Sequence, residues 1–149
     1  MGYELRKFVA DDWHNIDVQP GQQIDKVIGL ADPMLDSIVQ LEHSFTLVKD
    51  SKILICGGVI PLWYGRAAVW ALLSSGSSGS GMIKIHRETT KFINGVQEDS
   101  AYRRLEMHVD SCFKAAHKWA IMLGFTPEGE MQCFDPTGRD CWLYSRIIR

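Results

Sequence analysis

A chain of 149 residues, 46% of them hydrophobic, is long enough to bury one ordinary core, and no apolar run in it approaches the length of a membrane span. Its formal net charge of -2 lacks the overall basic field that broad electrostatic binding to nucleic acid requires, which leaves only a local patch at Arg103 and Arg104. The expectation is one soluble domain over residues 1–149, cytoplasmic because MGYELRKFV has no signal-peptide core, with neither nucleic acid nor membrane as a partner.

Cys56, Cys112, Cys133 and Cys141 lie far apart and form no CxxC pair, so buried free thiols are expected rather than a zinc site. Tyr3 to Val9 alternates as a first strand, and Asp11 is placed to cap a short helix through Trp13 and Ile16. Gln19-Pro20-Gly21-Gln22 reads as a turn. A helical turn or two follows from Ile24 to Leu30, and Asp32-Pro33 opens a helix carrying Met34, Leu35, Ile38, Val39 and Leu41 that ends near His43. Phe45–Val48 and Ile53–Val59 are predicted strands joined by the turn Lys49-Asp50-Ser51-Lys52, with a bulge expected at Gly57-Gly58.

The stretch from Arg66 to Ile93 organises the rest. An apolar run, Ala67 to Leu73, gives way to the loop SSGSSGSG, which opens onto a segment whose apolar residues Met82, Ile83, Ile85 and Ile93 recur at helical spacing. Strand, glycine-rich turn and helix in that order expose backbone N–H groups at the positive end of a helix dipole, a setting for an anion and above all a pyrophosphate. A Walker loop would place Lys and Ser or Thr after the last glycine, where Met82 and Ile83 stand, and GxxGxG is not the GxGxxG of a dinucleotide fold. A Ser/Gly linker has the same composition, but the flanks are strongly patterned and neither half is large enough to stand alone.

Beyond that helix, a polar stretch from Asn94 to Ala101 leads into a strand, Tyr102 to Val109. There Leu105, Met107 and Val109 alternate with Glu106, His108 and Asp110, which puts three ionisable groups on one face. Ala115 to Leu123 is an amphipathic helix stopped by Gly124, and strands at Glu130–Phe134 and Cys141–Ile148 flank the loop Asp135–Arg139.

The order β, helices, βββ, α, β, α, ββ, with its glycine loop after the fourth strand, resembles the GNAT superfamily of acyl-CoA-dependent N-acetyltransferases. RLEMHVDSCFKAAHKWAIMLGFTPEGEM is similar to that family's fifth strand and following helix, and GRDCWLYSRII to its closing strand. More narrowly, the chain resembles short GNAT-like proteins of tailed bacteriophages, some of them virion components, for which host cytoplasm or virion would be the location. The resemblance implies an α/β (by some schemes α+β) three-layer fold, with a mixed, mostly antiparallel sheet of six to seven strands, helices on both faces and a splay between strands four and five. It implies acetyl-CoA as co-substrate, its pantetheine arm pairing with the backbone of Trp70, Ala71, Leu72 and Leu73 and its pyrophosphate resting on Gly76, Ser77, Ser78, Gly79, Ser80, Gly81 and Met82. The acceptor would be a primary amine of a small molecule or of a protein, on a lysine or an N-terminus. A homodimer with Trp142 at the interface is also implied, since closing strands in the family often exchange.

Three departures accompany the resemblance. Gly76 stands where the family loop begins with Arg or Gln, Phe113 and Ala120 stand where it often has Asn and a catalytic Tyr, and Ala67–Leu73 lacks the Glu that often serves as base. The candidate base is therefore His108, whose side-chain type titrates near neutrality, with Glu106 second. The competing reading has this face meet solvent or form a salt-bridge network with Arg103, Arg104 or Lys114. For the acid, Tyr144, Cys112 and His117 qualify by type alone. Trp63 and Tyr64, loop aromatics, are candidate substrate contacts, although a packed hairpin corner would use them equally well. No metal is expected, because Glu106, His108, Asp110 and His117 lack a familiar ligand spacing. The alternative to catalysis is a silent GNAT-fold binding or structural protein.

Overall fold

The computed structural model describes residues 2–26, 43–100 and 102–149. Among them the strands are β1 (Tyr3–Arg6), β2 (Ser44–Lys49), β3 (Lys52–Trp63), β4 (Arg66–Leu73), β5 (Arg104–Asp110), β6 (Thr126–Met131) and β7 (Cys141–Ile147). The helices are α1 (Ala10–Asn15), α2 (Ser80–Ser100) and α3 (Lys114–Met122), with a 3₁₀ turn at Pro20–Gln22. The helix expected from Asp32 to His43, and most of the one from Ile24 to Leu30, lie outside the described residues.

The strands form a mixed seven-stranded sheet in the order β1-β2-β3-β4-β5-β7-β6. Strands β4 and β5 run parallel, and their ladder covers Arg66–Ala68 against Arg104–Glu106 although the strands continue to Leu73 and Asp110, as a splay requires. The chain groups into two compact units, Met1–Ile60 with Trp70–Glu88, and Pro61–Val69 with Thr89–Arg149.

In the first unit, Asp50 and Ser51 both take left-handed φ values, 49° and 68°, the backbone of a two-residue hairpin turn whose twist matches its strands. That turn sets β2 antiparallel to β3. In the β2–β3 ladder the register skips Leu54 of β3, between the pairs Leu47–Ile55 and Val48–Ile53, while Gly57 and Gly58 pair regularly with Phe45 and Ser44. The two glycines answer a different need: a methyl group on Gly57 would stand 2.8 Å from the Trp70 carbonyl oxygen. Phe8, Trp13, Ile16, Val18, Cys56 and Leu72 form the core cluster, with Ile53 and Trp70 packed against it. Full burial of the Phe, Ile, Val and Leu side chains among them contributes about 1.5–3 kcal/mol each.

The N-terminus of α1 is closed by Asp12, not Asp11. The Asp12 carboxylate accepts the Val9 N–H at 3.0 Å, the Thr46 hydroxyl at 2.7 Å and both Arg6 guanidinium nitrogens at 2.7 and 2.8 Å, in a site where Asp12 is buried. Burial pushes this carboxyl up, and the hydrogen bonds from Arg6, Val9 and Thr46 outweigh it and hold it below the usual range.

Helix α2 continues through the stretch read as a polar connection after Ile93, up to Ser100. Its buried positions Ile85, Thr89, Ile93, Val96 and Gln97 keep helical spacing, and Gln97 is held by groups beyond the helix. Arg146 donates to Gln97 Oε1 at 2.8 Å and to Asn94 Oδ1 at 2.6 Å, while Gln97 donates to the carbonyls of Tyr102 and Arg146 at 3.2 and 3.3 Å. In the second unit, β7 pairs antiparallel with both β5 and β6. Strand β6 begins at Thr126, four residues before the predicted Glu130. Helix α3 ends at Gly124 as predicted, where the N–H groups of Gly124 and Phe125 bond back to Ile121 and Ala120, both at 3.0 Å. No helix among the described residues is long and apolar enough to cross a membrane.

Candidate active site

The residues expected to hold a cofactor lie in the first unit. After Leu73 the chain turns through Gly76 and Gly79, both at positive φ (72° and 55°), and enters the 21-residue helix α2 at Ser80. A methyl group added at Gly76, Gly79 or Gly81 would meet nothing within 4 Å, so the backbone there faces open space. The first turn of α2 carries no acidic side chain, which leaves the positive end of its dipole uncompensated from within the helix. Ser74 and Ser77 brace the loop through their hydroxyls at 2.8 Å, and the Ser75 hydroxyl donates to Asp17 at 2.8 Å.

Strand β4 leads into this loop with Leu72 buried in the core and Trp70 half-buried against Phe8 and Trp13, ring centroids 5.0 and 5.4 Å away. Its backbone partners include residues that the sequence reading had assigned only to a turn. The Gln22 amide donates to the Ala71 carbonyl at 2.7 Å and accepts the Leu73 N–H at 2.7 Å, and the Gln19 N–H donates to the Leu73 carbonyl at 2.9 Å. No local pattern signals this, because the partners lie some fifty positions apart in sequence.

The candidate catalytic and substrate residues lie in the second unit. A cavity of about 610 Å³ is lined by Trp63, Tyr64, Gly65, Arg66, Arg103, Arg104 and Glu106. It brings together Trp63, Tyr64 and Glu106, but His108 is not among its walls. Trp63 is stacked beneath Arg66, whose guanidinium carbon stands 4.1 Å from the ring, and Tyr64 is almost fully exposed.

Glu106 is buried, and both its oxygens are taken: Arg66 donates at 2.5 and 2.8 Å and Arg104 at 2.5 Å. The hydrogen bond from Arg66, opposed by burial and aided by Arg104, holds this carboxyl below its ordinary range, a state suited to a fixed anion rather than to a proton acceptor. Arg104 goes on to grip Glu128 with two bonds, at 2.7 and 2.8 Å, and Ser145 donates to the same carboxylate; together they lower it to about 2. The competing salt-bridge reading thus describes Glu106, with Arg66 as the partner that sequence did not indicate. His108, by contrast, is exposed and lies beside Phe134, ring centroids 4.8 Å apart. Asp110 accepts from Arg139 at 3.3 Å and from the Cys112 N–H at 2.8 Å.

Two of the three candidate acids meet. Tyr144 and His117 Nδ1 are 2.7 Å apart, and His117 Nε2 faces the carbonyls of Asp110 and Ser111 at 3.0 and 3.2 Å. Carbonyls only accept, so Nε2 carries a proton, and in the neutral ring Nδ1 accepts from the Tyr144 hydroxyl. Burial pushes the Tyr144 hydroxyl up. The pair braces α3 against β7. Among the described residues no group of three or more His, Cys, Asp or Glu side chains is placed to hold a metal ion.

No family model matches the sequence, and no curated protein is similar to it. Solved structures are. A GNAT-family acetyltransferase from Streptococcus pneumoniae superposes with TM-score 0.65 at 14% identity, over 99% of this chain and 100% of that one. The chain has the GNAT fold. Ribosomal-protein-S5-alanine acetyltransferase from Vibrio fischeri matches at TM-score 0.64 and 18% identity, over 97% of this chain and 92% of the other. A variant of spermidine N-acetyltransferase from Vibrio cholerae matches at 0.62 and 13%, over 97% and 94%. At these identities the likeness is one of fold.

Proposed function

We propose that this chain is an acyl-CoA-dependent N-acetyltransferase, moving the acetyl group of acetyl-CoA to a primary amine of a small molecule, or to a lysine or N-terminus of a protein. The observation that carries the reading is the loop from Gly76 to Met82: two left-handed glycines, open space around three glycine backbones, and a long helix whose first turn has no acid. A pyrophosphate finds there backbone N–H donors and a favourable dipole. In the reaction the neutral amine nitrogen attacks the thioester carbonyl, the carbon–sulfur bond breaks, and the thiolate takes a proton as the amine loses one. His108, exposed on β5, is the proposed base, and Trp63 and Tyr64 are the proposed acceptor contacts. Glu106 serves in this reading as the anchor that holds Arg66 and Arg104 in place.

Calorimetric titration with acetyl-CoA, CoA and NADH tests the reading. Micromolar binding of the CoA compounds alone is expected, and Gly79→Val should weaken it at least tenfold, since a β-branched residue disfavours φ near 55° and its methyls fill the open face. Unchanged affinity in that variant would refute the loop assignment.

A further inference from the structure

The backbone edge that adjoins the glycine loop is already bridged by an amide, that of Gln22. Its Nε2 donates to the Ala71 carbonyl and its Oε1 accepts the Leu73 N–H, both at 2.7 Å, so one side-chain amide closes the pair of bonds that a residue of a neighbouring parallel strand would make with its own N–H and C=O. The Gln19 side chain donates to Gln22 Oε1 at 3.1 Å and fixes which way the amide faces. Around it the backbone is zipped to the end of β4. The Gln19 N–H meets the Leu73 carbonyl, the Ser75 N–H meets the Asp17 carbonyl at 2.7 Å, and Val18 bridges Ser74 in antiparallel fashion.

The pantetheine arm of CoA is an extended chain carrying two secondary amides, each with one donor and one acceptor. On the reading that the pyrophosphate sits at Gly76–Met82, the arm leaves the loop where β4 ends, and the first backbone pair it meets that is held only by a side chain is Ala71 C=O and Leu73 N–H. We infer that Gln22 is a built-in stand-in for the arm, and that CoA binds by exchanging the N–H of one of its amides and the C=O of the other for the Gln22 side chain. The inference rests on the function proposed above and adds to it a gate. Gln22 is only half-buried, so its side chain can swing out about its own torsions while the bonds made by Gln19 and Ser75 stay in place. Until the exchange, Gln22 satisfies two polar groups that would be costly to leave open, and thereby competes with the ligand.

The test compares the whole protein with its Gln22→Ala variant in titrations with two probes: CoA, and ADP bearing a 3′-phosphate, which carries the pyrophosphate but no amide arm. Removal of the competitor should tighten CoA roughly tenfold, the equivalent of one to two net hydrogen bonds, and leave the nucleotide unchanged. Amide exchange at Leu73 supplies a readout independent of affinity. It should speed up about tenfold in the free variant and slow again when CoA is added. Gln22→Asn, one methylene too short to span both groups, should behave the same way and guards against a variant that fails to fold. Equal or weaker CoA binding with nucleotide binding intact would overturn the gate alone, as would unchanged exchange at Leu73. Failure of both probes to bind either protein would overturn the pyrophosphate reading and the gate with it.

Discussion

Arg6→Met offers a sharp test of how the first unit is held together. Asp12 is 2% exposed and accepts four hydrogen bonds, two of them from Arg6, whose side chain remains about one-third exposed. Without Arg6 the carboxylate keeps only the Thr46 hydroxyl and the Val9 N–H, and stripping the partner from a buried charge costs about 3–5 kcal/mol. For a chain of this length that corresponds to ~6–20 °C in melting temperature. The pH dependence supplies the sign. In the parent the folded carboxyl lies below its ordinary value of about 3.8, so its contribution is present above that pH and is lost as pH falls through the folded value. In the variant, burial acts with less opposition and raises the folded value above the unfolded one. Its deficit then grows as pH rises through that window. Thermal melts followed by circular dichroism at pH 3 and pH 7 should show a large gap between the two proteins at pH 7 and a smaller one at pH 3. A gap under about 1 kcal/mol at pH 7, or one independent of pH, would refute the account.

His108→Ala should lower the acetylation rate by roughly 10²–10⁴ and flatten its pH profile near neutrality, whereas Glu106→Gln should lower the melting temperature and leave the shape of that profile intact; the reverse pattern would exchange their roles. Glu128, held at about 2 by Arg104 and Ser145, contributes stability above its ordinary value of about 4.5 and loses it as pH falls toward 2. Carboxyl titration by NMR should therefore move the Glu128 midpoint upward in Arg104→Met, and an unmoved midpoint would deny the pairing its part. A thiol reagent should label Cys112 and Cys133 rapidly in the native protein and spare Cys56, which burial pushes up to about 12, and Cys141 until the chain unfolds. Fast native labelling of Cys56 would contradict its place in the core.

Local chemistry decided much of this protein in advance. The turn at Asp50-Ser51, the stop at Gly124, the alternation of β5 and the strand–glycine loop–helix passage at residues 66–93 each depend on neighbours within a few positions, and these features were legible in the sequence. The extent of α2 was not, since Asn94 and Gln97 look like loop residues until Arg146, some fifty positions later, satisfies them. The same holds for the remaining surprises. Asp12 is a hub because β2 brings Thr46 to it and β1 brings Arg6. Glu106 is an anchor because the parallel pairing of β4 with β5 sets Arg66 beside it, and Gln22 bridges β4 because the segment after α1 runs along that strand. Periodicity and capping report which way a side chain faces. A polar group's partner across tens of residues is fixed only when the sheet registers form, and that tertiary step settles which of its ionisable and amide groups are committed to structure.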